Sequence, residues 1–214
     1  MVKLFESPLA TLGRMRRAYV ALNLAYYGLV AVSMAYSVYD PSLQQLLQNT
    51  VLDAFQSGPL SSVFKAYTGG QVVQAVALTF TINFFVASLA SISLPSLIVP
   101  FSGFLVAVLR AIMWGLIFAP TSLPTTGASV GAGLLVALLL LLEGQGYVLA
   151  MLAAYAQGRA FLFPKQVGAT GHAQGYWIGV KQALQIYLLV ALVLIVAAIY
   201  EVSIAVWLLP RLVA

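Results

Sequence analysis

Long apolar stretches with very few charges constrain this chain more than any other feature of its sequence. Of its 214 residues, 62% are hydrophobic and only 7% are charged, whereas a soluble domain carries about 25% charged residues. So few charges cannot cover the surface of a water-soluble fold. Lipid must therefore replace water around most of the chain, and the apolar stretches are predicted to be transmembrane helices.

The pattern predicts an all-α, polytopic transmembrane helical bundle that forms a single integral membrane domain over residues 1–214. Segment 41–68 repeats apolar residues at helical spacing but is too polar to span, which indicates an amphipathic region that lies on the membrane or packs across the ends of the spans. The fourth apolar stretch is interrupted at 143–146, so it is either one kinked helix or two half-helices. About five spans are expected, at 18–39, 72–93, 101–118, 128–155 and 181–209.

Two further features lie near the last two spans. A polar loop is predicted over 157–175 and holds His172, the only histidine. Small residues recur four apart, as at Gly175 and Gly179, and such pairs let helices approach closely.

Basic residues predict the orientation of the bundle. Four of them precede the first span and three flank the loop after the fourth, and five spans place both groups on one side. We therefore expect a multi-pass protein of the plasma membrane with a cytoplasmic N-terminus. The net charge of +5 is attributed to this orientation and not to nucleic-acid binding. The residues concerned are Lys3, Arg14, Arg16 and Arg17, and then Arg159, Lys165 and Lys181.

Four polar residues lie deep within apolar stretches: Asn83, Arg110, Glu143 and Glu201. A charge at the bilayer centre costs about 2.5–3.5 kcal/mol, so such groups usually face the bundle interior and find a partner. Arg110 and Glu143 fall at similar depths, which predicts an ion pair between them. On this hypothesis Glu143→Gln destabilises the fold more than Glu6→Gln does.

The roles of these four residues are left open by the sequence. The ion pair either orders the bundle or forms an ion, substrate or partner-docking site. Asn83 is predicted to make a hydrogen bond between helices, and Glu201 is interpreted as reaching the membrane interface. The chain has no cysteine and a single histidine, so no catalytic residue, metal ligand or cofactor site is predicted, and the protein is not expected to be an enzyme.

Several short motifs resemble the stage II sporulation protein M family over most of the chain. The resemblance implies a non-enzymatic membrane protein in which Asn83, Glu143 and Glu201 occupy matched positions. It also implies a role in scaffolding cell-wall hydrolases or in association with membrane transport machinery. This chain has Ser102–Gly103 and Leu139–Leu140 where the family often has Asn-Gly and His-Gly. The motifs are LTFTIN at 78–83, the Ser102–Gly103 turn, LEGQGYVLA at 142–150 and AIYE at 198–201.

Two functions are therefore predicted. The first is a non-catalytic scaffold or accessory subunit that assembles with other membrane or envelope proteins. The second is a small transporter or permease component with a polar site near Glu143. A polar cavity that reaches Glu143 would favour transport, whereas a sealed bundle with Glu143 buried against Arg110 would favour the scaffold. The expected partners are the lipid bilayer and other membrane proteins, with a bound lipid as a further candidate.

Overall fold

The computed structural model describes residues 7–58, 60–120 and 127–208. Within these ranges the regular structure is helical throughout and contains no strand, which confirms the all-α prediction. The helices are α1 (Pro8–Arg14), α2 (Arg16–Tyr39), α3 (Pro41–Gln56), α4 (Ser61–Thr68), α5 (Val72–Thr81), α6 (Leu94–Ile98), α7 (Gly103–Ile117), α8 (Gly127–Leu162) and α9 (His172–Ser203). A π-helical segment, Ile82–Ser93, joins α5 to α6, and a second, Ile204–Leu208, continues α9.

Four of these helical segments are long and apolar enough to cross a membrane: Arg16–Tyr39, Val72–Ile98, Gly131–Leu162 and His172–Leu208. The fifth predicted span, 101–118, corresponds to α7, which is apolar but has only 15 residues. At 1.5 Å per residue, α7 is about 22 Å long, shorter than a hydrocarbon core of about 30 Å. The described residues therefore provide four full-length spans and one short apolar helix.

Several predicted boundaries differ from the structure. The second span continues past residue 93 to Ile98, because Pro95 lies in the first turn of α6, where no donor is needed. The interrupted fourth stretch is one continuous helix of 36 residues. The predicted loop 157–175 is wrong over most of its length, because α8 extends to Leu162 and α9 begins at His172. Residue 209, the predicted end of the last span, lies outside the described residues.

The interruption at 143–146 does not break α8 because its polar and small residues are used in packing. Gln145 faces α2, where its amide bonds to Tyr19, Asn23 and Tyr27. Gly144 lies against the ring of Tyr27, where an added Cβ would come within 2.7 Å of the hydroxyl oxygen. Glycine therefore allows α2 and α8 to meet closely at this level.

The most extensive packing joins α8 to α9. Gly175 lies against the Ala160 carbonyl, and an added Cβ at Gly179 would lie 2.7 Å from the Gln157 Cα. The predicted close approach at this glycine pair is thus present, between two helices of the same chain.

The two ends of the bundle differ in character. Arg14, Arg16, Arg17 and Arg159 line one pocket, so the N-terminal arginines and Arg159 of the second basic group lie at the same end, as the charge pattern predicts. We call this the basic end; Lys3 lies outside the described residues.

The amphipathic region forms α3 and α4 and packs across the opposite end, which we call the α3–α4 end. The Gln44 amide donates to the carbonyls of Ile117 and Ala119, both at 3.2 Å, and Gln48 donates to Ile117 at 2.9 Å. These side chains thus satisfy carbonyl groups at the carboxyl end of α7 that have no partner within the helix.

Candidate functional site

A cavity of about 540 Å³ lies below α3 and α4, with walls from the α5 region, α7, α8 and α9. Most of its lining is apolar. The α7 wall can be reached from the bundle surface, because Leu109 and Met113 line the cavity and are 52% and 44% exposed. Four lining residues are the polar residues singled out in the sequence, namely Asn83, Arg110, Glu143 and Glu201. The structure thus brings all four together at one site.

Asn83 joins two helices through both atoms of its amide. Its Nδ2 donates to Glu143 Oε1 at 3.0 Å, and its Oδ1 accepts from the Tyr147 hydroxyl at 2.9 Å. Glu143 and Tyr147 are four residues apart on α8 and therefore lie on one face. The predicted interhelical hydrogen bond of Asn83 is present, and it fixes the carboxylate at the cavity wall.

Glu201 extends this network toward the α3–α4 end. Its carboxyl group lies close enough to that of Glu143 and to the Tyr67 hydroxyl for electrostatic interaction. Glu201 lines both the cavity at Glu143 and a second one beside it, so it points into the bundle, and its interpretation as a residue that reaches the membrane interface is wrong.

Tyr67 connects the network to α4. Its hydroxyl lies 3.0 Å from Thr79 Oγ1, and burial raises the pKa of this hydroxyl, so it stays protonated at neutral pH. A row of polar groups therefore runs from Tyr147 past the two carboxyl groups to the amphipathic region.

Arg110 does not form the expected salt bridge with Glu143. Both residues are described, and no salt bridge joins them; the guanidinium instead lies 4.6 Å from the centre of the Tyr147 ring. An arginine over an aromatic face gains a cation–π interaction, which strengthens where water is excluded. Arg110 remains close enough to interact electrostatically with Glu143. One side of the cavity therefore carries two carboxyl groups and another carries a cation.

The π-helical segment begins one residue before Asn83. Ser88 Oγ donates to the Asn83 carbonyl at 2.8 Å, which spans the five residues of a π-helical turn. π-helical turns are rare in proteins overall, but those that occur are often found at functional sites. This local backbone helps to set the rotation at which Asn83 meets α8.

A second cavity of about 560 Å³ adjoins the first near the α3–α4 end. The two share Phe55 and Glu201 in their linings. Phe55 therefore stands between the outer cavity and the polar site, on the side where Glu201 meets Tyr67.

Sequence reasoning missed several residues of this site. Tyr147 could have been found, because it follows Glu143 by four residues on the same helix face. Phe55, Tyr67 and Thr79 gave no signal that separates them from ordinary interfacial or packing residues.

The arrangement suits binding more than metal chemistry. Within the described ranges, no group of three or more histidine and acidic side chains could hold a metal ion. His172 lies outside the cavity, at the start of α9, with its Nδ1 2.7 Å from the Phe161 carbonyl. An apolar cavity with a few convergent polar groups is typical of sites for small molecules.

The fold and the cavity define the class: an all-α membrane-protein bundle with a polar site enclosed among its helices. No protein-family model, no curated protein and no solved structure matches the chain. The resemblance to the stage II sporulation protein M family therefore stays a prediction.

Proposed function

We propose that this protein is a small transporter or permease component that binds an amphipathic molecule in the cavity at Glu143. The observation that carries this proposal is the apolar cavity with Asn83, Arg110, Glu143 and Glu201 on its wall. An apolar ligand body would contact the walls formed by α3, α4 and α7. Its polar group would bear hydrogen-bond donors that face the two carboxyl groups.

The second cavity supports a route to this site. A ligand that enters the outer cavity between α3, α4 and the end of α9 passes Phe55 and Glu201 as it reaches the inner cavity, since both residues line the two cavities. Movement of the Phe55 ring would join them. In this proposal α3 and α4 control access, and the basic end stays closed to the ligand.

A cavity-filling variant tests the proposal. Val106 lines the cavity, whereas its neighbour Leu105 is 67% exposed and does not. Native mass spectrometry of protein extracted from its source membrane should show a bound small molecule in the wild type and in Leu105→Trp. Val106→Trp should lose it. Equal occupancy in the two variants, or a wild type that carries no ligand, would overturn the proposal.

Transport is tested with the molecule that this experiment identifies. Proteoliposomes loaded with it should release it faster when they contain wild-type protein than when they contain Val106→Trp. Binding without release would leave a binding subunit and rule out an autonomous transporter.

The scaffold or accessory-subunit function predicted from the sequence is the second candidate. It is favoured by α2, which leaves apolar side chains such as Leu24 and Val32 about 70% exposed along its length. Affinity purification in a mild detergent should then recover stoichiometric membrane or envelope partners. Recovery of a partner-free monomer from native membranes would contradict this function. Neither candidate includes catalysis.

The orientation is part of the proposal. We place the protein in the plasma membrane with the basic end in the cytoplasm, because basic residues concentrate on the cytoplasmic side of membrane proteins. The cavity entrance near α3 and α4 then faces outward.

A further inference from the structure

The pocket at the basic end is a separate, charged feature of the bundle. It measures about 600 Å³ and is lined by the α1–α2 junction together with residues near the end of α8. Four arginines contribute to its lining: Arg14, Arg16, Arg17 and Arg159. No acidic side chain lines it within the described part of the chain.

The arginines are held in place by the surrounding packing. Thr11 is fully buried, and its hydroxyl donates to Gln185 Oε1 at 2.7 Å, which fixes α1 against α9. Met15 is 7% exposed and forms the junction from which Arg16 and Arg17 extend. Arg159 is oriented by a hydrogen bond from its Nε to Gln166 Oε1 at 3.0 Å.

Arg16, Arg17 and Arg159 bring like charges together in this pocket, so an anion bound there would relieve their repulsion. Guanidinium groups present paired donors that match the oxygens of a phosphate. The pocket lies at the start of α2 and near the end of α8. Because both helices are long enough to span the membrane, their ends are expected at the level of the lipid headgroups. Exposed apolar side chains at the same end, including Leu9 and Phe163, suit contact with acyl chains.

We infer that this pocket binds the phosphate headgroup of an anionic phospholipid, with Arg16, Arg17 and Arg159 as its main contacts. This site lies at the opposite end of the bundle from the cavity at Glu143 and does not depend on the function proposed for that cavity. Bound lipid there would hold the α1–α2 junction against the end of α8.

The test uses phosphatidylglycerol as the anionic probe and phosphatidylcholine as the zwitterionic one, each titrated into the purified full-length protein. Native mass spectrometry should detect preferential binding of phosphatidylglycerol. Arg159→Gln should weaken it about fivefold, as follows from the ~1 kcal/mol that one basic residue contributes near an anionic surface. Arg16→Gln should have a similar effect, and Arg159→Lys should retain part of the binding.

Lys181 supplies the matched control. It is exposed and basic, and in the sequence it belongs to the same basic group as Arg159, but it does not line the pocket. Lys181→Gln should leave phosphatidylglycerol binding unchanged. An equal loss in Lys181→Gln and Arg159→Gln would overturn the site, because surface charge alone would then explain the binding.

Two competitors distinguish the sources of the phosphate. Inorganic phosphate and glycerol 3-phosphate at millimolar concentration should displace little lipid, since neither carries acyl chains. Full displacement by either would overturn the lipid assignment in favour of a soluble phosphate compound. Circular dichroism of each variant should match the wild type, and a variant that fails this check is replaced by Arg17→Gln, which makes the same charge change in the pocket.

Discussion

At the scale of single residues, Tyr147 makes two interactions that substitutions can distinguish. Its hydroxyl donates to Asn83, and its ring lies under Arg110. Burial makes the loss of either interaction costly, because a polar group without a hydrogen-bond partner destabilises the fold more inside the bundle than in water. The tyrosine therefore links the amide that orients Glu143 to the cation that Arg110 places on the cavity wall.

Two substitutions at this position should separate these interactions. Tyr147→Phe should lower the free energy of unfolding by about 1 kcal/mol, because it leaves the side-chain Oδ1 of Asn83 without its donor. Tyr147→Leu should cost about 0.5–2 kcal/mol more, because Arg110 also loses the aromatic face. Unfolding by SDS in mixed micelles, followed by circular dichroism, measures both. Tyr39→Phe, at an 89% exposed tyrosine, should have no effect, and equal losses in the two Tyr147 variants would contradict the cation–π interaction.

The stability of the start of α3, which lies outside the spans, is expected to depend on pH because of Asp40. Its carboxylate accepts from the Ser42 hydroxyl at 2.6 Å and the Ser42 amide at 3.1 Å, which lowers the pKa of Asp40. A lowered folded-state pKa stabilises the start of α3 at neutral pH, and this stabilisation is lost as pH falls through the lowered pKa. The protection of the Ser42 amide against hydrogen exchange should therefore fall in acid. Asp40→Asn keeps a capping side chain and should remove this pH dependence. If the exchange of the Ser42 amide in Asp40→Asn depended on pH as it does in the wild type, Asp40 would not be its cause.

At the scale of helices, close contacts decide which glycines can be replaced. Gly179 lies against the backbone of α8, whereas Gly28 on α2 has no heavy atom within 4 Å of an added Cβ. Gly179→Leu should destabilise the bundle by about 1–3 kcal/mol, because it forces α8 and α9 apart. Gly28→Leu should be neutral or mildly stabilising, since it adds a good helix former on an open face. Thermal unfolding in detergent compares them, and similar melting temperatures would contradict the assigned packing.

The helices were largely predictable from sequence, but their ends and local geometry were not. Apolar length identifies where lipid replaces water, and it says little about where a helix stops once it leaves the membrane. α9 begins at His172, nine residues before the predicted start at residue 181, because residues 172–180, which include the polar Gln174, continue the helix beyond the apolar stretch. The π-helical segment had no counterpart in the sequence pattern, because its residues are ordinary apolar helix residues.

The sequence predicted which polar residues belong to the candidate site, but it did not predict which of them contact one another. The high cost of burying polar groups in lipid singled out Asn83, Arg110, Glu143 and Glu201, and all four line one cavity. Which groups meet depends on how each helix is rotated about its axis. That rotation brings the Arg110 guanidinium over Tyr147, one turn beyond Glu143, and brings Glu201 inward. Depth along the membrane, which the sequence does give, could not distinguish these partners.

At the scale of the whole molecule, the number of crossings depends on α7. The helix is short for a span, yet its carboxyl end contacts α3, and Phe101 just before its start packs on Tyr155 near the basic end. A helix that connects these two ends crosses the bundle. The bilayer would then be thinned locally beside α7, or the ends of α7 would be covered by α3 and by the turn that precedes it.

Cysteine labelling tests this crossing directly, because the chain contains no cysteine of its own. Ser57 lies at the α3–α4 end and Ala173 in the first turn of α9, and both are exposed. If α7 crosses, an impermeant maleimide should label Ser57→Cys in intact cells and Ala173→Cys only after permeabilisation. If α7 does not cross, the two positions fall on the same side, and both variants should label together. The reverse pattern, with only Ala173→Cys labelled from outside, would keep the five crossings and contradict a cytoplasmic basic end.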